Sequence, residues 1–193
     1  MNKQIVVISG PSGSGKNTVI QELMSRFPNT ALLVTATTRQ MRPGEQEGVG
    51  HYFFSIERFD QEMTQGNILE HRYVPALDTH YGIFKPDIDA KLASDKIIFT
   101  DVDIIGARFL KQNYNATTIF IMPESIEQFR GRLKVRNPEW NEKEFEARMQ
   151  IAEKEIREYS PEYDHRVINA DGMLPETVSK VVEILQKEGY NLA

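Results

Sequence analysis

The sequence contains no cysteine, and this absence excludes disulfide scaffolds and thiolate metal sites. Long hydrophobic runs are also missing, since the apolar stretch at residues 5–8 is too short for the core of a secretion signal. Basic residues are not in excess either: 23 Lys and Arg against 28 Asp and Glu give a net charge of −5, which repels nucleic acid. We therefore expect small-molecule partners, no nucleic acid, no membrane and a cytoplasmic location.

The 193 residues, 40% of them apolar, fit one compact domain with room for insertions. Apolar runs of strand length alternate with stretches of helical periodicity, which predicts an α/β fold with a parallel sheet and helices on both faces. The five predicted strands are residues 5–9, 31–35, 97–101, 117–122 and 165–169. The predicted helices are residues 16–27, 106–112, 125–135 and 175–187.

Two segments interrupt this alternation. Residues 36–84 are rich in Gly, Pro, Arg and Glu and are far longer than a crossover connection requires, so they predict an inserted lobe. A polar stretch between two charged helical patterns predicts a short lid at residues 136–145. The core of the domain is then formed by residues 1–35 and 85–193.

Two capping patterns mark helix starts. In one, Ser125 precedes Gln128 by three positions, and in the other Asn141 precedes Glu144 by the same spacing. Such pairs satisfy the free N–H groups at the beginning of a helix. We expect helices to begin near residues 126 and 142.

The segment after the first predicted strand carries a phosphate-binding motif. Residues 9–18 read SGPSGSGKNT, and the strand before them and the helix after them provide the setting that a P-loop requires. Glycines let successive N–H groups point at a phosphate, the helix N-terminus adds positive potential, and Lys16 bridges the β- and γ-phosphates during transfer. The predicted ATP-binding residues in this motif are Gly10, Ser12, Gly13, Ser14, Gly15, Lys16, Asn17 and Thr18.

The residue after the P-loop lysine departs from the strict motif, which has Ser or Thr there to ligate Mg²⁺. This sequence has Asn17, and the hydroxyl comes one residue later at Thr18. Asn17 could offer its carbonyl oxygen, Thr18 could face the phosphates, or water and nucleotide oxygens could hold the metal with outer-sphere help from Asp101. The expected cofactors are ATP and Mg²⁺, with these three residues as alternative metal contacts.

Further motifs follow the P-loop in order along the chain. They are TTRQMRPGE at 37–45, HYFF at 51–54, LE at 69–70, YG at 81–82, DVD at 101–103 and VIN at 167–169. Together they resemble the guanylate kinase family over nearly the whole chain, and their order is more specific than any one motif. The resemblance implies a P-loop kinase fold with an acceptor-binding lobe and a lid, and ATP-dependent phosphorylation of GMP, and of dGMP, to the diphosphate.

The resemblance also implies where the acceptor binds. Arg39 and Arg42 lie three positions apart in a loop flanked by Gly and Pro, so two guanidinium groups can converge on one phosphate dianion. The family residue that matches Glu70 accepts hydrogen bonds from N1–H and the amino group of guanine, whereas adenine has an acceptor at N1. The implied GMP-binding residues are Thr35, Arg39, Arg42, Tyr52, Glu70, Tyr81 and Asp103.

For the transfer itself, the resemblance implies arginines that reach the donor phosphates from the lid and its flanking helices. Phosphoryl transfer depends on positioning and charge stabilisation more than on covalent chemistry. Asn169 matches a family residue near the adenine of ATP. The alternative for the arginines is a set of surface ion pairs with nearby acids. The implied catalytic residues are Lys16, Arg132, Arg136 and Arg148.

Two features depart from the family pattern. Ile83 follows the Tyr–Gly pair where the family has Ser or Thr to bind the guanine carbonyl, and segment 73–80 is longer than usual. These departures leave open a kinase of the same fold that acts on another phosphomonoester, such as ribose 1,5-bisphosphate. A second alternative is a non-catalytic guanylate-kinase-like module that binds proteins, although such modules typically lack the lysine present at Lys16. Either a monomer or a homodimer is compatible with the sequence.

Overall fold

The computed structural model of the protein describes residues 3–192, apart from the side chain of Ala76. Along this range the strands are β1 Ile5–Ser9, β2 Thr30–Leu32, β3 Thr35–Thr37, β4 His51–Phe53, β5 Ile68–Val74, β6 Thr79–Phe84, β7 Ile97–Thr100, β8 Thr117–Met122 and β9 His165–Ile168. The helices are α1 Lys16–Arg26, α2 Ile56–Thr64, α3 Lys85–Leu92, α4 Ile104–Tyr114, α5 Ile126–Arg136, α6 Glu142–Lys154 and α7 Leu174–Lys187. Within the described range, none of these helices has the length and apolar character of a membrane span.

Five strands form a parallel sheet in the order β2-β7-β1-β8-β9. Side chains of the central strand β1 alternate between the two faces. Val6 and Ile8 pack with α1 and α7, whereas Ile5 and Val7 pack with α3 and α4. All four are buried, as expected for a parallel strand covered on both faces. The predicted five-stranded parallel sheet with helices on both faces is confirmed.

Both predicted helix starts are confirmed, because α5 begins at residue 126 and α6 at residue 142. The capping box is complete only at α6, where Asn141 and Glu144 each accept the other's backbone N–H. At α5 the Ser125 hydroxyl accepts the N–H of Gln128, but the Gln128 side chain accepts from the N–H of Glu124. Ser125 therefore caps the helix alone.

A second sheet, in the order β4-β3-β6-β5, is built from residues 35–84. The single strand predicted at 31–35 is wrong, since the structure places β2 in the first sheet and β3 in the second. The chain leaves the first sheet after Leu33, whose N–H still donates to β7. The next N–H, that of Val34, donates to the Asp87 carboxylate at 2.8 Å, and this contact turns the chain toward the second sheet.

Asp87 joins the two sheets. Its Oδ2 accepts the N–H of Val34, and its Oδ1 accepts the Tyr52 hydroxyl at 3.0 Å and the Lys91 ammonium group. We expect Asp87→Ala to lower the free energy of unfolding by about 3 kcal/mol, because it leaves a buried N–H and a half-buried cation without their acceptor. Urea unfolding followed by circular dichroism measures this loss.

The matched control is Asp89→Ala on the same helix. Asp89 is exposed and pairs with Lys85, so its removal should change the free energy of unfolding by less than about 0.5 kcal/mol. Similar losses in the two variants would show that Asp87 does not act as a junction.

Candidate active site

Three neighbouring cavities open at the carboxyl ends of β1 and β7, the edge at which open parallel sheets bind ligands. The lobe cavity, about 270 Å³, is lined by Glu70, Tyr81 and Asp103 among others. The P-loop cavity, about 260 Å³, is lined by Gly10, Ser12 and Lys16 among others. The α1 cavity, about 200 Å³, is lined by Asn17, Gln21 and Thr35 among others. Asp101 lines all three, so it lies at their junction.

The P-loop is shaped by Gly15 and Asn169. Gly15 has a φ of 91°, and a Cβ there would collide with the Asn169 amide nitrogen. That nitrogen donates to Ser14 O at 2.8 Å, and the Thr177 hydroxyl donates to Asn169 Oδ1 at 3.1 Å. The structure thus gives Asn169, which is buried, a direct role in holding the P-loop; its predicted contact with adenine stays a prediction.

Lys16 begins α1, and its Nζ lies 3.6 Å from Asp101 Oδ2. Burial raises the pKa of Asp101 to about 6, and the charge of Lys16 opposes that rise. The hydroxyl oxygen of Ser14 is buried and has no hydrogen-bond partner within residues 3–192. The cation of Lys16 and the carboxylate of Asp101 therefore line the P-loop cavity together, whereas Ser14 lines none of the three cavities.

The residues predicted to contact a metal differ in position. Asn17 and Asp101 both line the α1 cavity, whereas Thr18 lines none of the three cavities. In the described part of the chain, no three His, Asp or Glu side chains are grouped to hold a metal by themselves. Mg²⁺ in phosphoryl-transfer sites usually takes one or two protein ligands and completes its shell with water and phosphate.

Glu70 lies on β5 and lines the lobe cavity. Its Oε1 is buried and has no hydrogen-bond partner among residues 3–192. Burial raises the pKa of Glu70 to about 7, the charge of Asp103 adds to the rise, and Arg72 opposes it. A buried carboxylate oxygen without a partner is costly in the free protein and is an acceptor for a ligand that brings N–H donors.

Three other predicted acceptor residues also line the lobe cavity: Thr35, Tyr81 and Asp103. Asp103 caps α4, since its Oδ1 accepts the N–H groups of Ile105 and Gly106. The structure therefore brings four of the seven predicted GMP-binding residues together around one cavity.

Arg39 and Arg42 lie in a loop that is closed by Glu45. The Arg39 guanidinium makes two contacts of 2.7 Å with the Glu45 carboxylate, which also accepts the N–H of Arg42 at 2.8 Å. Arg39 and then the Arg42 backbone lower the pKa of Glu45 to about 2. Neither arginine lines any of the three cavities. The charges of both arginines nevertheless help to lower the pKa of His51, which lines the lobe cavity.

Tyr52 and His51 lie on opposite faces of β4, as neighbouring strand residues must. The Tyr52 ring packs against Phe54 and Phe84, and its hydroxyl donates to Asp87, so the structure does not bring it into the cavity. His51 lines the cavity instead, with Nδ1 2.8 Å from the Thr35 hydroxyl. Burial first, and then Arg39, lower the pKa of His51.

Two more cavity residues were not predicted from the sequence. Arg72 lines both the lobe and P-loop cavities and pairs with Asp103 at 2.7 Å. The strand alternation that starts at Glu70 would have found it, because residues two apart share a face. Glu155 lines the P-loop cavity from a π-helical turn, Glu155–Tyr159, and burial raises its pKa. No sequence pattern marks that turn.

The three arginines predicted to reach the donor phosphates have different surroundings. Arg132 pairs with Asp171 and donates to Asn169 O at 2.8 Å. Arg148 lies 4.7 Å from the centre of the Trp140 ring and lines a fourth cavity, about 200 Å³, together with Ser12 of the P-loop. Arg136 is exposed at the end of α5. Of the three, Arg148 is the one that shares a cavity with the P-loop.

Comparison with known proteins agrees with this arrangement. The family model described as Guanylate kinase matches residues 2–188. The chain belongs to the guanylate kinase family. The guanylate kinase of Rickettsia bellii is 36% identical over 185 residues, 95% of this chain and 94% of that protein. The guanylate kinase of Thermosynechococcus vestitus is 37% identical over 169 residues, 87% of this chain and 86% of that protein.

A solved guanylate kinase shares the fold. The crystal structure of the enzyme from Anaplasma phagocytophilum superimposes with a TM-score of 0.73 at 27% identity, covering 98% of this chain and 88% of that one. The P-loop kinase fold expected from the resemblance is confirmed. None of these findings favours a kinase for another phosphomonoester or a protein-binding module.

Proposed function

We propose that this guanylate kinase family member transfers the γ-phosphate of ATP to GMP, giving ADP and GDP. The supporting observation is the unpartnered, buried Glu70 Oε1 in the lobe cavity. Guanine presents two neighbouring donors, N1–H and the 2-amino group, which a carboxylate can accept together. Adenine would place an acceptor against that carboxylate, so the site selects against it.

The phosphate of GMP then lies toward Arg39, Arg42 and Tyr81. Glu45 holds the arginine loop in shape, and the Tyr81 hydroxyl lies beside the Arg39 guanidinium. Thr35 and Asp103 join the acceptor set around the base, and of the predicted residues Tyr52 is left out because its hydroxyl donates to Asp87. We also propose that residues 36–84 form the acceptor lobe and that residues 1–35 and 85–193 form the core. Within the core, residues 136–145 form the lid.

In the transfer, a phosphate oxygen of GMP attacks the γ-phosphorus of ATP while the bond from that phosphorus to the bridging oxygen breaks, and ADP leaves. Lys16 and the P-loop N–H groups neutralise the charge that spreads over the phosphoryl oxygens. Arg148, which shares a cavity with Ser12, adds positive charge from the lid side. We propose that Arg132 and Arg136 also contribute positive charge to the donor phosphates. Asp101, at the junction of the cavities, lies between the two nucleotides.

The donor set fits Mg²⁺. Asp101 supplies a carboxylate and Asn17 an amide carbonyl at the same cavity, and Mg²⁺ in phosphoryl-transfer sites takes few protein ligands beside water and phosphate. When bound, Mg²⁺ neutralises charge on the β- and γ-phosphates. We propose that Asn17 and Asp101 contact the metal, directly or through water, ahead of Thr18, which lines none of the three cavities.

ADP release tests the function. With ATP and Mg²⁺, GMP is compared with dGMP, AMP, CMP, UMP and ribose 1,5-bisphosphate. We expect kcat/KM for GMP to exceed that for AMP, CMP and UMP by at least about 100-fold, since those bases leave Glu70 without a matching donor pair. Equal rates for GMP and AMP would contradict base selection. Faster turnover of ribose 1,5-bisphosphate would contradict the acceptor class.

A pH profile follows from the raised pKa of Glu70, about 7. The carboxylate accepts both guanine donors only when it is ionised, so kcat/KM for GMP should rise between pH 6 and 8 and level off above the pKa. The second ionisation of the GMP phosphate, with a pKa of about 6, adds a separate rise in kcat/KM at lower pH, a limb near pH 6. In Glu70→Gln the limb near pH 7 should disappear and the limb near pH 6 should remain. A limb near pH 7 in that variant would exclude Glu70 as its source.

A further inference from the structure

Arg72 is placed to face the same ligand as Glu70. The two residues are separated by one position on β5 and both line the lobe cavity, as strand alternation requires. The β5–β6 register puts Arg72 opposite Tyr81. Arg72 is thus a cation on the cavity wall beside the carboxylate that accepts from the base.

The Arg72 guanidinium is held in place by Asp103. Its Nη1 donates to Asp103 Oδ2 at 2.7 Å, while Asp103 Oδ1 is fixed by the N–H groups at the start of α4. No other hydrogen bond joins the guanidinium to any residue between 3 and 192. Asp103 therefore positions a fork whose remaining N–H groups can donate to a ligand.

A base that gives its N1–H and amino group to Glu70 brings a carbonyl oxygen, O6 of guanine, next to N1. That oxygen needs a donor, because a carbonyl buried without one costs free energy. Ile83 lines the same cavity and is only 1% exposed, and its apolar side chain cannot supply that donor. In the major groove of DNA, a bidentate contact from Arg or Lys to O6 and N7 of guanine is the commonest specific contact, which shows that a guanidinium group suits this carbonyl oxygen.

We propose that Arg72 donates to the carbonyl oxygen of the guanine base and thereby determines specificity; this inference rests on the proposed GMP kinase activity. Arg72 also lines the P-loop cavity, so the competing role is a contact with the transferring phosphoryl group. The two roles predict different responses to a change at O6 of the base. A contact with O6 senses the base carbonyl, whereas a contact with phosphate does not.

The test compares GMP with 6-thio-GMP, in which sulfur, a weaker acceptor, replaces O6. At pH 7, wild type should prefer GMP by about 10-fold in kcat/KM. Arg72→Ala should lower kcat/KM for GMP by about 10- to 100-fold and for 6-thio-GMP by much less, so the preference falls toward one. An equal loss for both substrates, or a preference that survives the substitution, overturns the proposal.

The chain offers a matched control in Arg108→Ala. Arg108 lies on α4 and pairs with Glu162, and the side chains of that pair are 50% and 36% exposed, against 52% and 33% for Arg72 and Asp103. Removing Arg108 should leave both kcat/KM values within about 2-fold of wild type. Thermal melts of both variants check that they are folded.

A rescue experiment separates a donor from a structural role. Ile83→Thr places a hydroxyl in the same cavity, on a side chain one heavy atom smaller than isoleucine. In the Arg72→Ala background it should restore part of the GMP preference, and no recovery in a folded double variant counts against the proposal. If wild type does not phosphorylate GMP at all, the proposed function itself has failed. If wild type is active but its preference for GMP is independent of Arg72, only this inference has failed.

Discussion

Lys16→Met is expected to lower kcat for GMP phosphorylation by about 10³-fold or more while the protein remains folded. Lys16 is the cation that begins α1 beneath the P-loop, and its Nζ lies 3.6 Å from Asp101. Losing one preorganised charge contact in a phosphoryl-transfer site costs at least about 10²-fold, and Lys16 bridges the two phosphates between which the bond breaks. Methionine keeps most of the side-chain length and removes the ammonium group, with its charge and its N–H donors.

Steady-state ADP release and a melting curve measure the two parts of this prediction. The control is Lys180→Met on α7, where an exposed lysine pairs with Glu183 and lies outside the cavities. That variant should retain wild-type kcat and wild-type stability. Activity within 10-fold of wild type in a folded Lys16→Met protein would show that the P-loop does not act as proposed.

Most of the first sheet could be predicted because its information is local. The run of apolar residues in β1, the P-loop after it and the caps at Ser125 and Asn141 all lie within a few positions of the structure that they specify. The break between β2 and β3 could not be predicted in this way. It depends on a hydrogen bond from Val34 to Asp87, 53 residues later in the chain.

The residues of the candidate site also differ in whether a short segment or a long-range contact determines their position. Glu70, Asp103 and the P-loop follow from motifs, because their roles attach to short segments. The presence of His51 rather than Tyr52 at the cavity does not follow from a motif. It depends on the pairing of β3 with β4 and on which face of β4 meets the cavity. Glu155 reaches the P-loop cavity through a π-helical turn for which the sequence has no pattern.

Glu70→Gln should lower kcat/KM for GMP by about 10²- to 10³-fold and leave the KM for ATP nearly unchanged. The amide offers one acceptor and one donor where guanine brings two donors, so one donor of the base loses its acceptor and faces an N–H group instead. AMP, with an acceptor at N1, should lose less, so the GMP to AMP ratio falls. The control is Glu57→Gln, an exposed residue at the start of α2, which should leave both values unchanged.

The same substitution should stabilise the free protein, in a pH-dependent way. Burial raises the pKa of Glu70 to about 7, so the folded protein binds this proton more tightly than the unfolded chain does. The wild type therefore loses stability as pH rises from about 4.5, the ordinary value, through about 7, whereas the neutral amide does not. In urea unfolding, the advantage of Glu70→Gln should grow from pH 5 to pH 7 and stay constant above pH 8. A loss of stability together with the loss of activity would mean that Glu70 supports the fold, and its assignment to the guanine base would then have to be withdrawn.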